Sequence, residues 1–170
     1  PEGAFTWEAE VEIDPAGNTA LEGLYQSNGM YCTHCEAEGF RKITYYPDRP
    51  EVMATCDVRI EGREPGLLSN GNPGDRGDGF AEWHDPWPKP AYLFALVAGH
   101  LVNHPGAFAT ASGREVELNI WVRPGDEHKC DFAMEALIKS MQWDEEVYGR
   151  EYDLDIFNIV AVDDFNMGAM

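Results

Sequence analysis

Residues Cys32-Thr33-His34-Cys35-Glu36 place two thiols, an imidazole and a carboxylate within five positions, the densest run of reactive side chains in the sequence. A CxxC can hold zinc or exchange electrons. Zinc sites of that kind need a second CxxC or a histidine pair at matching spacing, and neither follows here. With Cys56 and Cys130 the cysteines number four, too few for a small disulfide-stapled scaffold, so reduced, semi-buried thiols are the expectation. Read from its neighbours alone, Glu36 is a surface acid.

A second constellation, His100-Leu101-Val102-Asn103-His104, has the i, i+4 histidine spacing of a zinc-binding helix. Leu101 stands where such a helix needs a Glu to deprotonate a metal-bound water, and Pro105-Gly106 disfavour a helix, which leaves two exposed loop histidines. His34, His84 and His128 are isolated and read as surface or structural groups. Arg76-Gly77-Asp78 spells RGD inside a Gly- and Asp-rich stretch that produces such tripeptides by composition. Nucleophile elbow, Walker loop and GxGxxG patterns are all missing, so the residues by themselves assemble no complete catalytic centre.

The elements that would position these groups are mostly strands. Phe5, Trp7, Ala9, Val11 and Ile13 alternate with polar residues and predict a half-buried strand over 5–13. The segment from Pro15 to Gly29 is rich in turn formers and predicts a loop around Leu21, Leu24 and Tyr25. Short strands are predicted within 41–50, ended by Pro47, and within 54–62, where Cys56, Val58 and Ile60 alternate. Residues 69–79 predict a hairpin-like connection into 80–85, and the apolar run 91–101 a strand buried on both faces. Beyond it come a strand at 114–122, a helix at 131–149 with Asp131 as N-cap, Gly149 as stop and Ala133, Leu137, Met141 and Tyr148 near one face, then a strand at 152–162. The expected class is mainly β, with an α+β portion. We expect a boundary near His100: residues 1–100 form part of an antiparallel β-rich domain, and 101–170 open a second domain with a strand-helix-strand order.

The totals limit the function classes. Asp and Glu number 31 against 12 Lys and Arg, a formal charge of −19, which argues against nucleic acid or an anionic membrane as partner and fits solubility or cationic groups. Apolar stretches stay short of the roughly 20 residues needed to span a bilayer, and the sequence opens without a basic, then apolar, leader; the expected location is cytoplasmic.

Three long blocks, residues 18–54, 85–99 and 143–170, resemble the zinc aminopeptidase N family, in its bacterial branch. The closing Gly168-Ala169-Met170 resembles the first part of that family's Gly-Ala-Met-Glu-Asn exopeptidase motif. The resemblance implies a fragment cut within the motif: the last part of an N-terminal β-sandwich or saddle domain, then the incomplete start of a thermolysin-like metallopeptidase domain. It implies peptide substrates and a zinc ion whose HExxH ligands lie downstream of Met170. No catalytic or metal residue is therefore expected in this chain, which alone would be inactive without the rest of its catalytic domain.

Glu36 matches the position that binds the substrate's free α-amine, a task for a carboxylate making charge-assisted hydrogen bonds at a fixed distance from the reacting bond; Glu38 is the rival. Met167, Gly168, Ala169 and Met170 match the wall of the pocket for the first residue, with small residues for close backbone approach and methionines for adaptable packing. His34 stands where Gln is more usual, and Asp164 where an aromatic is expected. Two other readings remain: a non-enzymatic β-rich binding module, using the RGD loop and acidic surface, and a family member that kept the scaffold without the zinc site.

Overall fold

Asn28 and Gly29 both lie at positive φ, 49° and 81°, the conformation a two-residue hairpin turn demands and Asn-Gly accepts at least cost. They join β1 (Gly23–Ser27) to β2 (Met30–His34), with Ser27 opposite Met30. The computed structural model describes residues 3–169. After the hairpin follow β3 (Met53–Glu61), β4 (Gly66–Ser69), β5 (Asn72–Gly77), β6 (Phe80–Pro90), β7 (Leu96–Gly99), β8 (Val102–Ala109) and β9 (Glu115–Val122). The helix α1 (Asp131–Tyr148) and β10 (Ile156–Val160) complete the chain.

The strands make three sheets in the orders β1-β2-β7-β4, β3-β6-β5 and β10-β9-β8. All pairings are antiparallel except β10 with β9, where α1 provides the crossover that parallel neighbours require. The expected mainly β class, with strand, helix and strand in its second half, is the observed one.

Two apolar clusters hold the sheets. Tyr25, Trp83, Leu67, Leu68 and Val97 form the first, while Val116, Leu118, Ile120 and Val122 of β9 meet Met134 and Met141 of α1 in the second. Strand alternation gives β9 two working faces: Trp121 packs on the first cluster, together with Ile156, Val160 and Phe165. The sheet of β8–β10 is thus sandwiched between α1 and the preceding sheets. Gly149 ends α1 in the left-handed region at φ 61°, its N–H reaching the Asp144 and Glu145 carbonyls.

Several local expectations change. Residues 5–13 form no strand, and Phe5 and Trp7 are each 69% exposed; alternation makes a strand only where a neighbour completes the ladder, and none among the described residues does. The expected loop before Gly29 contains β1. Residues 41–50 form no strand either: a 3-10 turn at Phe40–Lys42 leads into a segment tied to Arg41. Residues 72–77 pair as β5, with only Asp78 and Gly79 as turn. Within 91–101 the strand is confined to Leu96–Gly99, after a 3-10 turn at Ala91–Leu93. Cys130, not Asp131, occupies the N-cap of α1, without a side-chain bond, and Tyr148 points outward at 63% exposure.

Candidate functional site

β2 carries the reactive run to the end of its sheet. There the chain turns back through Cys35–Gly39, closed by the Gly39 N–H donating to the Cys35 carbonyl at 2.8 Å. Only glycine fits at 39, because a Cβ there would lie 2.4 Å from the His34 carbonyl oxygen and 3.0 Å from the backbone of Gly23. Glu36, Ala37 and Glu38 stand exposed on this turn, and the Glu36–Ala37 peptide is cis. Behind them Arg41 grips Asp48, which is 6% exposed, donating its N–H to the carboxylate at 2.9 Å and Nη2 to the Asp48 carbonyl at 2.7 Å.

Arg41 also pairs with Glu38 at 3.3 Å, whereas Glu36 has no ion pair among the described residues. The turn thus exposes both carboxylates, Glu38 with one oxygen near Arg41 and Glu36 without an ion pair among the described residues. The adjoining thiols are poor nucleophiles: burial is the main cause pushing the Cys32 thiol up and the Cys35 thiol up to about 12, so both are protonated near neutral pH. All four cysteines are free.

The chain's other end arrives at the same sheet. After β10 the segment Asp163–Asn166 lies across β1 and β2. Ser27 Oγ donates to the Asp164 carboxylate at 2.7 Å and accepts from the Asp164 N–H at 3.1 Å, and Tyr25 OH donates to the Asp164 carbonyl at 2.6 Å. Asp163 accepts from Asn28 Nδ2 at 2.5 Å and from Arg123 Nη1 at 2.8 Å. Asn166 Nδ2 donates to the Ala20 and Leu21 carbonyls, each at 3.1 Å. Phe165 packs on the His34 ring, centroids 4.6 Å apart. His34 is 3% exposed, and its Nδ1 lies 3.2 Å from the Leu21 carbonyl. A carbonyl only accepts, so Nδ1 donates to it, while Nε2 is buried without a hydrogen-bond partner among the described residues.

The structure thus brings the tail against residues 21 and 34, two positions from Glu36. Met167, 47% exposed, and the exposed Gly168 and Ala169 continue directly from the fastened segment. A Cβ on Gly168 would meet nothing within 4 Å, and no hydrogen bond joins Glu36 to these residues among the described ones. Met170 lies outside the described residues. Sequence reasoning missed Tyr25, Ser27 and Asn166, whose roles rest on partners 137 to 146 positions away; the Asn-Gly turn beside Ser27 was the available signal.

The other candidates do not join this site. His104 lies on β8, half-buried, 3.5 Å from Asp131, and His100 is exposed before that strand. Arg76 lies over the Trp83 ring at 5.1 Å, which holds the RGD arginine against the sheet. Among the described residues no group of three or more His, Cys, Asp or Glu could hold a metal ion. No helix there is long and apolar enough to cross a membrane.

The family described as the Peptidase M1 N-terminal domain matches residues 3–93. The chain is 59% identical over 174 residues to aminopeptidase N of Caulobacter vibrioides and 54% identical over 174 residues to aminopeptidase N of Escherichia coli, in each case across 98% of this chain and 20% of the relative. It spans about a fifth of the length of these curated relatives. Among solved structures, Legionella pneumophila aminopeptidase A in complex with aspartic acid superposes with a TM-score of 0.83 at 40% identity, covering 89% of this chain and 19% of that one. Native yeast LTA4 hydrolase, at 24% identity and TM-score 0.69 over 85% of this chain and 22% of that one, shares the fold.

Proposed function

The chain belongs to the peptidase M1 family through its N-terminal domain, and on that premise we propose that it is part of a zinc-dependent aminopeptidase that releases N-terminal residues from peptides. Residues 1–100 are the share of the β-rich N-terminal domain, and 101–170 the opening of the catalytic domain. Glu36 receives the substrate's α-ammonium, and Met167, Gly168, Ala169 and Met170 wall the space for the first side chain. The observation that carries the reading is the fastening of Asp163–Asn166 onto the sheet that ends in the Glu36 turn. A relative solved in complex with aspartic acid supports a site for an amino acid.

The chain's own residues bind and orient; they do not cut. The metal implied by the family finds no fitting ligand set among the described residues, so no bond-breaking step is assigned to them, and the isolated chain is expected to be inactive. An ammonium held by a carboxylate fixes the scissile bond one residue away, which is what makes removal of single residues from the N-terminus a geometric outcome.

The test uses the whole protein that contains this chain, assayed on aminoacyl anilides and their N-acetylated forms. Cleavage of the free amines only, loss with a chelator, and a KM raised about tenfold or more by Glu36→Gln are the expected results, since a hydrogen bond to a charged group contributes about 1.5–3 kcal/mol. Equal cleavage of acetylated substrates would overturn the assignment of Glu36.

A further inference from the structure

Asp164 has three hydrogen-bonding groups, an N–H, a carbonyl and a carboxylate, and β1 holds all three. Ser27 uses its single proton on the carboxylate and a lone pair on the N–H of the same residue, closing a ring that locks its hydroxyl. The residues that hold Asp164 belong to the interior: Tyr25 is 0% and Ser27 2% exposed. Asp164 itself is exposed, so these buried hydroxyls grip an outer segment instead of satisfying one another within the core. Met167 lies three residues beyond, within about 10 Å along an extended chain, and a small displacement of the anchor is passed on to it.

We infer that Tyr25 and Ser27 are positioning residues for the first-residue pocket, fixing through Asp164 where Met167–Ala169 run relative to Glu36. The inference rests on the aminopeptidase reading above. Neither side chain touches substrate. Their contribution is to keep the pocket wall at one distance from the amine site, so that a displaced wall weakens the hold on the first side chain without touching the reacting atoms.

The experiment measures KM and kcat of the whole protein on aminoacyl anilides with small and large first residues. Ser27→Ala, which removes two bonds to Asp164, raises KM by about fivefold to twentyfold, changes kcat by less than about twofold and narrows the preference between first residues. Ser27→Thr keeps the hydroxyl and restores KM. Tyr25→Phe removes one bond and raises KM by about threefold. Asp164→Ala, at an exposed position, removes the carboxylate bond alone and raises KM by about threefold, a second route should a change at the buried Ser27 prevent folding. A purely structural role would lower the melting temperature while leaving KM and preference unchanged at assay temperature, and that result overturns the inference. So does a fall in kcat at constant KM. Glu36→Gln run alongside separates the two failures: a raised KM there with an unchanged Ser27→Ala value sinks only the positioning role, while an unchanged Glu36→Gln value sinks the amine site and the inference with it.

Discussion

Burial sorts the reactive residues of this chain. Cys35, 0% exposed, has its thiol raised from 9.0 to about 12 by desolvation first and the Asp48 carboxylate second. An alkylating reagent at pH 8 is therefore expected to modify the half-buried Cys56 before Cys35, with all four thiols reacting at once only in denaturant; mass spectrometry of the modified peptides checks the order. The same shift has a linkage consequence. A folded-state value above the unfolded one means stability that is intact below the ordinary thiol range and lost as pH rises toward about 12, and Tyr152, raised from 10.0 to about 12 mainly by burial, acts in the same direction. Urea midpoints measured from pH 8 upward are expected to fall above pH 9. At this scale the sequence was partly legible: semi-buried, reduced thiols were expected and Cys32 and Cys35 are buried and free, but the ion pairs of Arg41 with Glu38 and Asp48 depend on the chain folding back, which no local pattern encodes.

Elements were legible where pattern and tertiary context agree. α1 carries its own period and stop, and β9 alternates the buried Val116, Leu118, Ile120 and Val122 with Glu115, Glu117, Asn119 and Trp121, so both stood out. The alternation at 5–13 had no partner strand, and β1 hid among turn formers because its signal, Asn28-Gly29, lies at its end. The turn Cys35–Gly39 is the element on which the candidate site depends. Gly39→Ala forces a Cβ against the His34 carbonyl and is expected to destabilise the fold by about 1–3 kcal/mol, read as a lower urea midpoint at unchanged slope. An unchanged midpoint would mean that the turn relaxes freely, contrary to the close approach of Gly23 and Gly39.

At the scale of the whole molecule, a charge of −19 opposes a set of exposed apolar side chains. Phe5 and Trp7 at one end, and Phe132, Trp143 and Val147 on α1, are between 50% and 80% exposed. Like-charge repulsion keeps copies of this chain apart while its range is long, about 30 Å at 0.01 M salt, and fades when salt shortens that range to about 3 Å at 1 M. Sedimentation of the isolated chain is expected to show self-association that grows with salt; association that weakens with salt would assign it to ion pairs instead. The bond from Tyr25 to Asp164, which links groups 139 positions apart, also bears on biosynthesis. A ribosome adding about 5–20 residues per second needs about 7 to 28 s to travel from one partner to the other. Through most of that interval the residues of β1 and β2 are already made while the segment that lies across them is still untranslated, and Tyr25 and Ser27 lack their final partner.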